Sequence, residues 1–300
     1  MQTVAEALIH ILKDNKELTT VIITELDRIY HHGQFGDIAT ISTQEMFASF
    51  YPACFSTLEE KGKMARAGSE KFFSQISRLL TTTQTEPPHF TSATHFANAF
   101  GSHEYAEKLK LAFDANGSNK ANYHDYHLVY AGVFNEIRNP GVIVEIGLGS
   151  GNPNILSNMG PEARPGASLR AFSSLFPGAE IIGADIDKEI LFNDQSITTY
   201  YLDQLNEDSF SHLRNALSNR MIDVFIDDGL HCLEANLNSV VFAANLVRPG
   251  GWILIEDITV DALPAWKLIG AAIATNFTSM TIECRGGCIF LAQRRGTSPP

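Results

Sequence analysis

Acidic residues and one histidine follow two apolar runs in the C-terminal half of the chain, in the segments IDDGLH (226–231) and ILIEDI (253–258). The side chains that could do chemistry there are Asp227, Asp228, His231, Glu256 and Asp257. A histidine titrates close to neutral pH and can take a proton from a hydroxyl group, while a neighbouring carboxylate orients it and stabilises the imidazolium. Carboxylates are also the hard oxygen ligands that Mg²⁺ prefers. The two segments therefore predict a site that deprotonates a hydroxyl group, with or without a metal ion.

A glycine-rich turn follows a third apolar run, VIVEIGLGSG (142–151), in which Glu145 precedes the alternating glycines Gly147, Gly149 and Gly151. The β-branched residues of the run predict a strand that is buried on both faces. Glycine has no Cβ, so its backbone can turn sharply and approach a ligand closely. The alternative is an ordinary strand and turn, but a buried strand leading into such a turn is typical of the ligand crevice in a doubly wound α/β sheet.

The spacing of the glycines separates two kinds of ligand. A dinucleotide-binding turn has the pattern G-x-G-x-x-G and an acidic residue about 20 positions further on. Here Asn152 stands at the third glycine position, and the next strand-ending acid, Asp185, is too far away. The pattern E-x-G-x-G-x-G instead resembles motif I of class I S-adenosylmethionine (SAM) methyltransferases. This resemblance implies that the glycine turn passes under the methionine part of SAM and that Asp185 binds the two ribose hydroxyls, which are good donors to a carboxylate.

From Gly141 onward the chain alternates between strand and helix patterns, which is typical of a parallel sheet. Strands are predicted at 142–146, 180–185, 197–201, 223–226 and 252–256, and helices at 167–175, 209–217, 233–246 and 262–275. A hairpin of 279–283 and 289–292 around Gly286-Gly287 follows. The expected fold is an α/β, Rossmann-like class I methyltransferase sheet of seven strands with the last one antiparallel. Parallel strands end at one edge of a sheet, so the acidic segments are expected to converge.

Residues 1–115 are predicted to be helical, because apolar residues such as Val4, Leu8 and Leu12 recur at helical spacing. Further helices are predicted at 43–50, 69–80 and 104–113, separated by turn signals such as Pro87-Pro88. This region is expected to pack beside a SAM-binding methyltransferase domain at 116–293, either as a structural cap or as a lid. A tail at 294–300 is expected to be disordered.

Composition excludes several classes of partner. The 300 residues carry a formal net charge of −12 and no polybasic stretch, so neither nucleic acid nor an anionic membrane is an expected partner. The first residues lack the positive region of a secretory signal, and no apolar run approaches a membrane span. A cytoplasmic protein is therefore predicted. The four cysteines, Cys54, Cys232, Cys284 and Cys288, form no C-x-x-C pair. Reduced thiols beside a hairpin turn are expected for the last two, with a disulfide or metal site as the alternative.

Four motifs together resemble one branch of the class I methyltransferases. They are DDGLH (227–231), IEDI (255–258), PGASLR (165–170) and SNK followed by Y-x-x-Y (118–126). The branch is the natural-product O-methyltransferases, which include macrolide-sugar enzymes of the mycinamicin and macrocin type and polyketide enzymes that are free-standing or embedded in synthases. The resemblance covers about residues 118–292, and the helical N-terminal region matches only in general character.

The resemblance implies catalytic and metal-binding roles. His231 would be the general base. In the sugar enzymes Mg²⁺ is held at the positions of Asp228 and Asp257, whereas in the polyketide branch a histidine–glutamate dyad would pair His231 with Glu256. The structural alternative is that His231 caps the helix starting near Leu233.

The resemblance also implies that Lys120, Tyr123 and Tyr126 close the SAM pocket. The polar aromatic residues around them are expected to form a wall of the active site, or else a partly buried start of a helix. Two departures from the sugar enzymes weaken that substrate class: Asn119 replaces a common acid, and Leu230 replaces a frequent serine. The predicted cofactor contacts are Glu145, Gly147, Gly149, Gly151, Asp185, Asp203, Asp227, Lys120, Tyr123 and Tyr126, of which Asp227 has a structural role as its alternative.

The predicted function is SAM-dependent O-methylation of a hydroxyl on a secondary metabolite. The acceptor would be a polyketide chain, free or bound to a carrier protein, or a macrolide or other glycoside. Two alternatives remain open at this stage. One is a SAM-binding regulator or partner subunit without activity, although such a protein has no need of a base. The other is a dinucleotide-dependent oxidoreductase, which the glycine spacing disfavours.

Overall fold

The computed structural model describes residues 89–100, 103–218 and 220–296, together with Glu60 and Met64. The predicted helices before residue 81, the Pro87-Pro88 turn, Cys54 and residues 297–300 of the predicted tail lie outside the described residues. The predicted helix at 104–113 is confirmed, with slightly wider bounds.

The described residues form nine strands and seven α-helices. The strands are β1 (His89–Ser92), β2 (Val142–Ile146), β3 (Glu180–Asp185), β4 (Asn193–Asp194), β5 (Ile197–Tyr201), β6 (Ile222–Asp227), β7 (Val247–Ile258), β8 (Phe277–Cys284) and β9 (Gly287–Arg294). The helices are α1 (Ala93–Ala99), α2 (His103–Asn116), α3 (Tyr126–Glu136), α4 (Ala167–Leu175), α5 (Glu207–Leu217), α6 (Leu233–Leu246) and α7 (Leu263–Ile273). Every strand and helix predicted after residue 140 is present, with small differences at the ends.

All nine strands belong to one sheet in the order β1-β8-β9-β7-β6-β2-β3-β5-β4. Strands β2, β3, β5, β6 and β7 pair in parallel, and β9 lies antiparallel between β7 and β8. The expected class I methyltransferase fold with an antiparallel last strand is therefore confirmed. Two short edge strands, β1 and β4, extend the predicted seven.

Strand β1 lies within the region 1–115 that the sequence predicts to be helical, and it was not predicted. His89–Ser92 pairs in parallel with the edge strand β8, in a register that puts Phe90 opposite Thr281. Phe and Thr favour extended structure, and the open edge of β8 supplies the backbone partners. The chain turns into helix α1 at once, where the Ser92 side chain caps the helix by accepting from the His95 N–H.

Apolar helices cover both faces of the sheet, which is why its central strands are continuous apolar runs. Successive residues of a strand point to opposite faces. Accordingly, Val144 packs in the layer that contains α5, α6 and α7, whereas its neighbour Ile143 packs in the layer that contains α2, α3 and α4. The sheet is therefore anchored on both sides, and its carboxyl edge is held rigidly.

Helix α3 brings two tyrosines to that edge. Tyr126 and Tyr130 are one helical turn apart and lie on the same side of the helix. The ring of Tyr130 packs against Phe113 of α2 and Phe172 of α4, with centroid distances of 5.9 and 5.5 Å. Both tyrosines are buried, and their hydroxyls reach the end of β7.

The turn between β8 and β9 holds the segment that precedes α3. The Arg285 backbone N–H donates to the His124 carbonyl at 3.2 Å, and its guanidinium donates to the Asn122 carbonyl and to Asp125, both at 2.9 Å. Residues 122–125 are thus held against the C-terminal hairpin.

The cysteines of the described residues are free thiols. Burial raises the pKa of Cys232 to about 12 and that of Cys288 to about 11, so these thiols stay protonated. None of the helices within the described ranges is long and apolar enough to cross a membrane.

Candidate active site

A cavity of about 530 Å³ opens at the carboxyl ends of the parallel strands, and residues 117–120 with His124 and Tyr126 form one of its walls. This volume is in the usual range for small-molecule sites. The residues predicted for the site that line the cavity are Lys120, Tyr126, Gly147, Gly149, Asp185, Asp203, Asp228, His231, Glu256 and Asp257. Within the described part of the chain, the lining residues do not include the other four, Tyr123, Glu145, Gly151 and Asp227.

Gly147 directly follows β2, and its backbone packs closely against the residues that follow β6. Its φ is +91°, and a Cβ built on it would be 2.0 Å from the Asp228 carbonyl oxygen. Its N–H donates to the Ala184 carbonyl at 2.8 Å, while the Asp228 N–H donates to the Ile146 carbonyl at 2.8 Å. The glycine is therefore required by the close approach of two strand ends, a requirement that the sequence pattern alone does not reveal.

Asp185 organises the turn beside it. Its carboxylate accepts from the Leu148 N–H at 2.7 Å and from the Asp187 N–H at 2.8 Å, one on each oxygen. A carboxylate oxygen has more than one acceptor position, so both can still accept from a ligand. Burial raises the pKa of Asp185. Asp187 in turn accepts from the Ser150 hydroxyl, which ties the glycine loop to β3.

Asp227 and Asp228 have different surroundings although they are adjacent. Asp227 is fully buried and accepts from the side-chain amides of Gln204 and Asn236 at 2.8 and 3.0 Å. Gln204 also accepts from the Leu230 N–H at 2.8 Å, which fixes the turn after β6. These contacts favour the structural role of Asp227. The sequence reasoning missed Gln204 and Asn236, whose roles depend on contacts with Asp227 that no local pattern shows.

Lys120 lies among three carboxylates at the edge of the sheet. Its Nζ is 2.7 Å from Asp228 Oδ2 and 3.2 Å from Glu145 Oε1, and it donates to Glu256 Oε2. Burial alone would lower the pKa of Lys120, but Asp228 and Glu256 outweigh burial and hold the pKa well above its ordinary value. The same ion pair, together with His231, outweighs burial at Asp228 and lowers its pKa.

Glu256 is shared between two donors. One carboxylate oxygen accepts from Lys120 and the other from the Tyr130 hydroxyl. Burial and the neighbouring charge of Asp228 raise the pKa of Glu256 well above its ordinary value. Glu145, which accepts from the Ser168 hydroxyl at 2.6 Å, also has its pKa raised by burial. Burial thus opposes the charged form of these two side chains, whereas Lys120 favours the charged form of Asp228.

His231 faces Asp228 and Asp257. Its Nε2 lies 3.8 Å from Asp228 Oδ1 and 3.6 Å from Asp257 Oδ2. The other Asp257 oxygen accepts from the Tyr126 hydroxyl. His231 and Asp257 both have positive φ, 56° and 54°. A non-glycine residue in that region costs about 1–3 kcal/mol and persists where surrounding contacts enforce it, often at functional sites.

The carboxylates that face the imidazole of His231 are Asp228 and Asp257. Both oxygens of Glu256 accept from other donors, Lys120 and Tyr130. The pairing of His231 with Glu256 stays a prediction.

Tyr123 and Gly151 are placed away from the cavity lining. The side chain of Tyr123 is 56% exposed and packs edge-on against His124. Gly151 instead lies within the glycine loop, where a Cβ would be 3.0 Å from the Gly160 carbonyl oxygen. Their predicted contacts with the cofactor stay predictions.

The donor atoms around His231 fit a divalent metal ion. Asp228, His231 and Asp257 each offer one atom, and these atoms lie within 4.8 Å of one another. The carboxylate oxygens that face His231 are the ones not used by Lys120 or Tyr126. Two free carboxylate oxygens suit a hard cation such as Mg²⁺, which usually keeps several waters and takes one or two carboxylates.

The chain is similar in sequence to two methyltransferases of natural products. No family model matches the chain. The chain is 27% identical over 182 residues to 8-demethyl-8-alpha-L-rhamnosyl tetracenomycin-C 2'-O-methyltransferase of Streptomyces olivaceus, covering 60% of this chain and 45% of that protein. It is 35% identical over 126 residues to demethylmacrocin O-methyltransferase of Streptomyces fradiae, covering 42% and 29%. The chain thus spans less than half the length of these relatives.

Among solved structures, the chain is similar to the MycE methyltransferase of the mycinamycin biosynthetic pathway in complex with Mg and S-adenosylhomocysteine (SAH). The TM-score is 0.50 at 22% identity, with 64% of this chain and 57% of that chain covered. This likeness supports the class I methyltransferase fold. Together with the two relatives, it confirms the resemblance to natural-product O-methyltransferases that the motifs indicate.

Gly147→Ala should destabilise the protein more than Gly149→Ala. Both glycines have positive φ, so the backbone cost is shared, but the Cβ at 147 would overlap the Asp228 backbone. The Cβ at 149 would meet only the flexible Met159 side chain, at 3.4 Å. We expect Gly147→Ala to cost about 1–3 kcal/mol more than its control, which thermal unfolding followed by circular dichroism would measure. Equal losses in the two variants would contradict the assigned close contact.

Proposed function

We propose that the chain is a SAM-dependent O-methyltransferase that acts on a hydroxyl group of a natural product. The observation that carries the proposal is the placement of His231 against Asp228 and Asp257, in the same cavity as the glycine turn and Asp185. An imidazole oriented by neighbouring carboxylates is suited to take the proton that a hydroxyl loses in O-methyl transfer. The names of both curated relatives are consistent with this chemistry.

The glycine turn and Asp185 would bind SAM. Asp185 is fixed by the N–H groups of Leu148 and Asp187 and has acceptor capacity left for two ribose hydroxyls. Gly147 and Gly149 give the ligand access to the backbone at the end of β2. SAM supplies a methyl group on a sulfonium, which is already activated for displacement. The work left to the protein is therefore positioning of the two reactants and removal of a proton.

His231 would accept the proton of the acceptor hydroxyl. As the new C–O bond forms and the C–S bond breaks, the hydroxyl proton passes to the imidazole, and Asp228 and Asp257 stabilise the resulting imidazolium. Such general base catalysis contributes typically about 10²–10⁴-fold in rate. Lys120 keeps one oxygen of Asp228 occupied, so the oxygen that faces His231 stays in place.

Mg²⁺ would be held by Asp228 Oδ1 and Asp257 Oδ2. When bound it would polarise the acceptor hydroxyl and favour its deprotonation. The solved MycE structure contains Mg, which supports testing this ion first.

The acceptor would be a hydroxyl of a glycosylated or macrolide-type product. One relative is named for the 2'-O position of a rhamnosyl tetracenomycin and the other for demethylmacrocin. A polyketide chain, free or bound to a carrier protein, is the alternative acceptor. Incubation with labelled SAM and a panel of glycosides, macrolides and carrier-bound hydroxyacyl groups would separate these classes by product mass. SAM binding without turnover on any of them would favour a non-catalytic SAM-binding protein.

Asp185→Asn should weaken SAM binding. The substitution keeps the size of the side chain but removes its charge and leaves one acceptor oxygen in place of two. A hydrogen bond to a charged group is worth about 1.5–3 kcal/mol, so we expect Kd for SAM to rise by roughly 10- to 150-fold. Isothermal titration calorimetry would measure it, with the exposed Asp194→Asn as control. Unchanged affinity in the folded variant would remove Asp185 from the ribose site.

His231→Ala should lose turnover while it keeps SAM affinity. The role proposed for the imidazole is exerted in the transition state, so kcat should fall by about 10²–10⁴-fold and KM should change little. His231→Gln should lose somewhat less, because it preserves part of the packing. Steady-state kinetics with the preferred acceptor and calorimetry with SAM would provide the two readouts. A folded His231→Ala protein with near-normal kcat would show that another group activates the hydroxyl.

Removal of divalent metal should abolish turnover and leave SAM binding intact. Asp228 and Asp257 would then lack the ion that polarises the hydroxyl, and added Mg²⁺ should restore the rate. The comparison is turnover in EDTA against turnover in EDTA with excess Mg²⁺, with Ca²⁺ as a control for ionic strength and geometry. Full turnover in EDTA would exclude the metal from the mechanism without affecting the role of His231.

A further inference from the structure

The ammonium of Lys120 joins three carboxylates from three different strand ends. Asp228 follows β6, Glu145 belongs to β2, and Glu256 belongs to β7. The Nζ atom lies 2.7 Å from Asp228 Oδ2 and 3.2 Å from Glu145 Oε1, and it donates to Glu256. The ammonium donates hydrogen bonds to Asp228 and Glu256, while Glu145 is an ion-pair neighbour whose Oε1 accepts no hydrogen bond among the described residues.

Lys120 and two of its carboxylate neighbours are buried, so the charge of Lys120 is poorly screened by water. Lys120 and Glu256 are 2% and 1% exposed, and Glu145 is 0% exposed. Water therefore does little to screen the carboxylates if the lysine charge is removed, and an uncompensated buried charge is strongly unfavourable. Lys120 also lines the cavity, so its charge acts on whatever occupies that cavity.

The position of Lys120 is fixed by the segment that carries it. The Lys120 carbonyl accepts from the Tyr126 N–H at 2.8 Å, at the start of α3. The same segment is held by Arg285 through the carbonyls of Asn122 and His124. These backbone hydrogen bonds place the ammonium of Lys120 at the strand ends. It donates to one carboxylate oxygen of Asp228, and the other oxygen of Asp228 faces His231.

We propose that Lys120 is an internal counter-charge that positions Asp228 and sets the charge that a ligand meets in the cavity. This inference rests on the proposed function, because SAM carries a sulfonium charge and its product SAH does not. With Lys120 in place, the acidic end of the cavity is partly neutralised. Without Lys120, the carboxylates left without their counter-charge should strengthen the binding of SAM, which carries a positive sulfonium, relative to the binding of SAH.

The test is the ratio of Kd for SAH to Kd for SAM, measured by calorimetry in buffer free of divalent ions. Lys120→Met should raise this ratio roughly tenfold, the size expected for one unit charge acting across a poorly screened site. Lys120→Arg keeps the charge and should leave the ratio near that of the wild type. Lys108→Met is the matched control, because Lys108 is exposed and pairs with Glu104 on α2.

A purely structural role for Lys120 makes a different prediction. Loss of packing would weaken both ligands alike, so an unchanged ratio in Lys120→Met would overturn the inference. The same substitution in an Asp228→Asn background, where the partner charge is also gone, should again raise the ratio roughly tenfold over Asp228→Asn alone. This second pair decides the question if Lys120→Met does not fold. Binding of neither ligand by the wild-type protein would instead overturn the proposed function, and this inference with it.

Discussion

The site depends on how several carboxylates that lie close together are compensated by neighbouring donors. Parallel strands end at one edge of the sheet, so Asp228 is gathered there with the buried carboxylates Glu145, Glu256 and Asp257. Three of these carboxylates accept from buried donors. Lys120 donates to both Asp228 and Glu256, the Tyr130 hydroxyl also donates to Glu256, and the Tyr126 hydroxyl donates to Asp257. These donors come from the segment before α3 and from α3 itself, so that region is as necessary to the site as the sheet.

The same constraint gives neighbouring carboxylates different protonation behaviour. The pKa of Glu256 is raised by burial and by the charge of Asp228, while Lys120 and His231 lower the pKa of Asp228. A pair of acids whose environments push their pKa values apart is a common arrangement where one must stay ionised. Asp228, whose pKa is lowered, is the one that faces His231.

Sequence patterns predicted the sheet well and the contacts of the site less well. Strands β2 and β3 were predicted with their exact bounds, because burial on both faces produces an uninterrupted apolar run that ends at an acid. The gathering of Asp228, His231, Glu256 and Asp257 followed from the rule that parallel strands end together.

The features that the sequence did not predict depend on contacts between residues that are far apart in the chain. Lys120 is 108 positions from Asp228 and 136 from Glu256, and only the packing of α3 brings them together. Strand β1 exists because β8 offers it an edge, which no property of His89–Ser92 alone could show. The positive φ of Asp257 is likewise set by its surroundings, so the order of Glu256 and Asp257 in the sequence does not by itself tell which of them faces His231.

The insertion of β9 between β7 and β8 has a consequence for the order in which the site forms during synthesis. The residues of β9, 287–294, leave the ribosome after all the side chains of the site, and Arg285 just before them holds the backbone around Asn122 and His124. Until these residues emerge, β8 has no antiparallel neighbour and the segment that carries Lys120 is not braced. The cavity wall that contains Lys120 can therefore be held by this turn only after residues 285–294 have been synthesised.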